Sequence, residues 1–140
     1  MTDLSPAALA DLHARCFSTP RPWTEFEFGQ LMANPRTILA GSDLGFVLAQ
    51  VVLDEAEILT LAVAPQHRRQ GLGADLVKRL HSSAKAAGAD RIFLEVSAEN
   101  QPAQALYAKL GYDQVGRRPR YYQARDGQRF DALILARDLT

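Results

Sequence analysis

The stretch Leu61-Ala62-Val63-Ala64-Pro65-Gln66-His67-Arg68-Arg69-Gln70-Gly71-Leu72-Gly73-Ala74-Asp75-Leu76-Val77 decides how the whole chain folds. Its first part is apolar and strand-like, and Pro65 ends it. From Leu72 onward Leu72, Leu76, Leu80 and Ala84 recur every four residues along one helical face. A strand therefore ends, a short basic turn with glycines follows, and an amphipathic helix begins. A helix start presents unpaired backbone N–H groups and the positive end of the macrodipole, and glycine lets the chain approach a bulky anion with no side chain between. Arg68 and Arg69 add charge-assisted donors beside those amides. The turn suits a pyrophosphate; two glycines alone also suit a tight turn with exposed arginines. It is neither a Walker loop, which needs GKS or GKT after its second glycine, nor a dinucleotide fingerprint, which needs three spaced glycines.

Working outward, Ser5 and Pro6 signal a helix start, with Leu9, Leu12, Cys16 and Phe17 at near-helical spacing. TPRP breaks that helix, and Thr24 caps a second one whose Phe26, Phe28, Leu31 and Met32 run up to Asn34 and Pro35. TILAG, GFVLAQVVL and EILTLAVA, divided by SDLG and DEAE, predict three antiparallel strands between Thr37 and Ala64. Past the central helix, which Gly88 stops, come a strand RIFLEV, a loop SAENQ and a helix from about Pro102 to Leu110 ended by Gly111. Strands from about Asp113 to Arg118 and Asp131 to Asp138 follow, linked by a loop containing PRYYQARDGQ. This order predicts a single α/β domain over residues 1–140, and a strand, helix, strand crossover around Gly71 requires one parallel strand pair.

At 140 residues, 47% hydrophobic and 23% charged, the chain has the profile of one ordinary globular domain. Lysine plus arginine and aspartate plus glutamate each total 16, so no overall field draws it to nucleic acid or anionic lipid, and any anion site is local. Arg117, Arg118 and Arg120 hint at an RNA patch, yet without a stacking surface they read as a solvated strand end. His13, His67 and His81 lack metal-ligand spacing and Cys16 has no second cysteine beside it, so no metal is expected, and Cys16 reads as a small buried thiol. The N-terminus has neither a basic n-region nor an apolar h-region and no run is long enough to span a membrane, which makes the cytoplasm the expected compartment.

Glu95 is the ionisable residue in the apolar run Ile92 to Val96, and burying a carboxylate unpaired is costly. It either pairs with an arginine or a solvated edge, or serves as a partly desolvated base that takes a proton from an amine. Tyr107 lies in AQALYAKLGY, rotated about 100° from Leu106. With Leu106 and Leu110 pointing to the core, it either faces a cleft or only packs.

Arg68, Gly71 and Gly73 fill the coenzyme A pattern of the GNAT acetyltransferase superfamily (Arg or Gln, two residues, Gly, one residue, Gly or Ala), and LAVAPQHRRQGLGADLV resembles that motif. The resemblance implies a central mixed, mostly antiparallel sheet of about six or seven strands with one splayed parallel pair and about four helices. It implies acetyl-CoA as co-substrate, bound along Leu61, Ala62, Val63, Arg68, Arg69, Gln70, Gly71, Leu72, Gly73 and Ala74. In such proteins the strand before the motif carries a bulge and diverges from its parallel neighbour, so that the pantetheine arm slots between them.

The block LEVSAENQPAQALYAKLGY resembles the RimI-type ribosomal-protein alanine N-acetyltransferase branch. By that resemblance Glu95 is the general base, Tyr107 the general acid and Asn100 a coenzyme A contact, while Ser97 stands where the branch commonly has arginine. Pro22 with Trp23, and Tyr121 with Tyr122, match the loops that hold the acceptor peptide, although Arg21 replaces a residue that is often apolar. The implied reaction is direct attack of an amine on the thioester in a ternary complex, with no acetyl group passing through Cys16. The acceptor it implies is a protein N-terminus, the N-terminal alanine of small-subunit ribosomal protein eighteen first. Other N-termini, lysines or a small amine are the alternatives within the enzyme class, and a non-catalytic coenzyme A-binding module is the alternative outside it.

Overall fold

The computed structural model describes residues 4–17, 21–42, 44–68, 70–124 and 126–139. Helix α1 (Pro6–Cys16) starts where the Ser5 hydroxyl accepts the Ala8 N–H, and α2 (Glu25–Ala33) starts in a full capping box between Thr24 and Glu27. Strands β1 (Thr37–Ser42), β2 (Gly45–Val52) and β3 (Glu55–Val63) form an antiparallel meander. A single 3₁₀ turn at Pro65–His67 leads into α3 (Leu72–Ala86), followed by β4 (Arg91–Ser97) and α4 (Gln101–Lys109). The chain closes with β5 (Asp113–Gln123) and β6 (Arg129–Asp138), giving one six-stranded sheet in the order β1-β2-β3-β4-β6-β5.

The sheet is antiparallel everywhere except between β3 and β4, the pair that the α3 crossover joins. Each face carries a core. On one, Leu76, Val77, Leu80 and Ala84 of α3 pack on Val47, Ala49, Val51, Ile58, Ile92 and Leu94; on the other, Leu9, Leu12 and Phe28 of α1 and α2 pack on Phe46, Leu48 and Ala62.

One irregularity shapes the centre of this sheet. Leu48 of β2 faces Thr60 while Ala49 faces Ile58, so Leu59 is an extra, bulged residue in β3. The bulge reverses the alternation of the strand. Ala56 and Ile58 before it point toward α3, whereas Ala62 and Ala64 beyond it point toward α1 and α2. The β3–β4 pairing runs from Glu55 opposite Arg91 to Ile58 opposite Leu94 and goes no further. Past the bulge the two strands part.

Two expected boundaries move. β3 begins at Glu55 rather than Glu57, because the β2–β3 hairpin needs only Leu53 and Asp54, with Leu53 at φ 58°. The expected loop PRYYQARDGQ is mostly strand: β5 runs to Gln123, and its pairing with β6 skips from Arg118 to Tyr122 across a bulge where Arg120 has φ 55°. Pro119 falls in that unpaired stretch, where its missing N–H costs no ladder bond.

Candidate functional site

The gap between β3 and β4 opens a cavity of about 130 Å³. Ile58, Leu59, Thr60 and Leu61 line it from β3, Leu94 to Ser97 from β4, Asn100, Ala103 and Tyr107 from the segment through α4, Trp23 from the loop before α2 and Tyr122 from the end of β5. The cavity thus collects Glu95, Tyr107, Asn100, Leu61, Trp23 and Tyr122, six residues singled out from the sequence.

Glu95 is 19% exposed at its side chain and pairs with Arg118 of β5 at 3.2 Å. The guanidinium of Arg118 also lies over the Tyr121 ring, 5.2 Å from its centroid. Arg118 is half exposed, as expected of a strand end, but its guanidinium also reaches Glu95 across β6, which lies between β4 and β5 in the sheet. Arg117 pairs with Asp131, whose other oxygen accepts the Arg120 N–H. Glu57 of β3, placed in a strand but given no role by the sequence, has its carboxyl pushed up by burial and by the Glu95 charge, with Arg118 opposing.

Tyr107 is the buried position of α4, 3% exposed, while Leu106 and Leu110 are only half-buried. This reverses the expected orientation: α4 covers the mouth of the gap, so one face looks at both core and cavity. Burial pushes the Tyr107 phenol well above its ordinary range, and its ring packs edge-on to Tyr112 at 5.1 Å. Asn100 caps α4, its carboxamide oxygen accepting the Ala103 N–H at 3.2 Å, and Gln104 ties α4 to the carbonyls of Ser97 and Ala98.

At the glycine turn, Gly71 occupies the N-cap of α3 at φ 79° with no side chain capping the helix. Gly73 faces Leu106, Val63 and Leu61, since a Cβ there would lie 3.5 to 3.9 Å from their side chains, so the turn adjoins the outer end of the gap. The Val63 carbonyl already accepts from Arg68 Nε at 3.2 Å and from the Cys16 thiol at 3.3 Å, which leaves it no open acceptor. Arg68 thus braces the strand end rather than standing free beside the amides. Gln70 is exposed and contacts His67, Leu72 and Ala74 are half-buried in the first turn of α3, and Ala62 faces α1 and α2. Arg69 lies outside the described residues.

At the other end, Trp23 stacks on His13, and its backbone N–H donates to His13 Nδ1 at 3.0 Å. Pro22 and Tyr121 flank the cavity without lining it; Tyr121 packs edge-on against Tyr122, whose phenol is pushed up to about 12 by burial and then by the charges of Glu95 and Tyr121. Arg21 forks onto both oxygens of Glu27 at 2.8 and 2.9 Å. Among the described residues no cluster of His, Cys, Asp and Glu could hold a metal, and no helix is long and apolar enough to cross a membrane.

A bulged strand diverging from a parallel neighbour, with an uncapped glycine turn at the outer end and a carboxylate and a phenol inside, is equipped to seat an acyl thioester beside a nucleophile. The chain matches the acetyltransferase (GNAT) family over residues 7–112. It is 38% identical to the [ribosomal protein bS18]-alanine N-acetyltransferase of Escherichia coli strain K12, over 96% of this chain and 90% of that one. The crystal structure of the ribosomal-protein-S18-alanine N-acetyltransferase from Escherichia coli superposes with a TM-score of 0.87 at 33% identity, covering 100% of this chain and 91% of that one. Arabidopsis thaliana NAA60 in complex with a bisubstrate analogue shares the fold, with a TM-score of 0.84 at 21% identity over 99% and 94% of the two chains. The chain belongs to the GNAT acetyltransferase family, in its RimI-type branch, and is an acetyltransferase.

Proposed function

We propose that this acetyltransferase moves the acetyl group of acetyl-CoA to the α-amine of a protein N-terminus, the N-terminal alanine of ribosomal protein bS18 being its acceptor. The observation that carries the reading is the gap past Leu59, in which Glu95, Tyr107, Trp23 and Tyr122 meet. The diphosphate of the donor rests on the amides around Gly71 and Gly73, with Gln70, Leu72 and Ala74 around it. The thioester then points inward along Leu61, Ala62 and Val63, with the free Nδ2 donors of Asn100 beside the arm.

The acceptor peptide lies between the Pro22–Trp23 loop and the Tyr121–Tyr122 end of β5. Its amine needs little help, because an α-amino group with a pKa of about 7.7 to 8.0 is partly neutral at pH 7. Glu95 orients the amine and receives its proton, and backbone N–H of the bulged strand polarises the carbonyl. Tyr107 stays protonated throughout the working range, since burial raises it. Complete transfer of its proton to a thiolate of pKa about 8.5 is uphill, so its hydroxyl acts chiefly as a hydrogen-bond donor that stabilises the leaving sulfur.

The test is thiol release from acetyl-CoA with peptides of varied first residue, a lysine-only peptide and a small amine. Alanine-initiated peptide is acetylated on its α-amine, and Glu95→Gln lowers kcat by about 10² or more with little change in the KM for acetyl-CoA. Preference for the lysine peptide or the small amine would reassign the acceptor. Coenzyme binding without turnover would make the chain a binding module.

A further inference from the structure

His13 is 1% exposed, and both of its ring nitrogens are bonded. A backbone N–H can only donate, so Nδ1, which takes the Trp23 N–H at 3.0 Å, carries no proton. The neutral ring then holds its proton on Nε2 and donates it to Thr60 Oγ1 at 2.9 Å. The ring also contacts Phe17 at 4.4 Å, Trp23 at 5.1 Å and Phe28 at 5.4 Å. His13, Trp23 and Thr60 all line the cavity, and Thr60 is the residue next to the bulge at Leu59. One imidazole therefore joins α1, the loop before α2 and the strand that diverges from β4.

We propose that His13 is a positioning residue for the acceptor: it pins the Trp23 loop to Thr60 and so fixes the spacing between the acceptor groove and the channel that delivers the thioester. This rests on the reading that an acceptor N-terminus lies against Trp23. Without the pin the loop keeps its apolar contacts but loses a buried bond, and the acceptor loses a preformed wall.

Two amide variants separate the nitrogens. His13→Asn sets a carbonyl oxygen near the place of Nδ1 and loses the Nε2 donor, whereas His13→Gln sets an amide N–H near Nε2 and loses the Nδ1 acceptor. The readouts are KM for the best acceptor peptide, KM for acetyl-CoA, and the emission of Trp23, the only tryptophan in the chain. His13→Gln is expected to raise the acceptor KM about ten-fold, to leave the acetyl-CoA KM within about two-fold, and to red-shift Trp23. His13→Asn, which keeps the Trp23 bond and loses only the Thr60 anchor, is expected to raise the acceptor KM and shift the emission in the same direction by a smaller amount. Equal rises in both KM values in both variants, or unchanged acceptor KM and emission in His13→Gln, overturn the inference. Should either variant not fold, Thr60→Val removes the oxygen that anchors the ring: a raised acceptor KM with shifted emission supports the pin, and no change in either overturns it. If the wild-type protein acetylates no N-terminal peptide, the acceptor reading fails by itself. Emission then decides only whether His13 pins the Trp23 loop, a red shift in His13→Gln supporting the pin and an unchanged spectrum overturning it.

Discussion

Tyr107 shows why a residue's type is easier to read than its direction. Spacing against Leu106 and Leu110 made it a candidate for the cleft, and it is in the cleft, but as the buried member of its helix rather than the exposed one. Its hydroxyl makes the difference between a donor to sulfur and a packing ring, so Tyr107→Phe should lower kcat about 10- to 100-fold while thermal unfolding stays at the wild-type temperature or rises. Steady-state kinetics beside a melting curve checks both halves. Cys16 behaves differently. It is half-buried and its thiol bonds the Val63 carbonyl, which Arg68 also holds, and it does not line the cavity. Cys16→Ala should keep kcat within about two-fold and cost about 1 kcal/mol of stability. A dead but folded Cys16→Ala enzyme would contradict direct attack on the thioester.

At the scale of elements, the strand, turn and helix around Gly71 were legible because each piece announces itself. A continuous apolar run, Pro65 and a four-residue repeat of leucines obey separate local rules that agree. Gly71 must adopt φ 79°, and although an added Cβ would meet nothing within 4 Å, an L side chain is strained there. Gly71→Ala should therefore cost about 1 to 2 kcal/mol and turn the first amides of α3, raising KM for acetyl-CoA more than KM for the acceptor. A denaturation curve and a kinetic comparison of the two substrates measure this. The bulge at Leu59 carried no such local signal in the residues themselves: EILTLAVA reads as an unbroken strand, and the extra residue is visible only against β2. The β5–β6 hairpin hid for a related reason. Pro119 and the run of polar residues look like loop, yet an exposed edge strand tolerates both.

In the whole molecule the sheet separates two cores, and two histidines are tied into the packing, His13 fully buried and His81 half-buried. Burial lowers His13 to about 4 against a raising influence from Glu27, and burial lowers His81, which bonds the Tyr112 hydroxyl, to about 4 with Arg137 assisting. Unfolded histidines titrate near 6.5, so between about pH 6.5 and 4 the unfolded chain binds more protons than the folded one. Stability present above pH 6.5 is lost as the pH falls through this window. The slope is at most about 1.4 kcal/mol per pH unit for His13, and smaller for His81, which water partly screens. Glu57 opposes this near the acid end, because its raised folded pKa adds stability at low pH that is lost as pH rises. Urea midpoints at pH 7 and pH 5 should differ clearly in favour of pH 7; equal midpoints would contradict the buried neutral state of His13.

The sequence by itself determined the order of helices and strands, the parallel crossover and the glycine turn, since these follow from periodicity, punctuation and backbone freedom over a few neighbouring residues. Only the tertiary structure decided that Arg118 answers Glu95, that Glu57 lies close enough to feel that charge, and that His13 joins Trp23 to Thr60. Those partners stand 23, 38 and up to 47 positions apart in the chain, and register between strands and the packing of α1, rather than any local pattern, sets such distances.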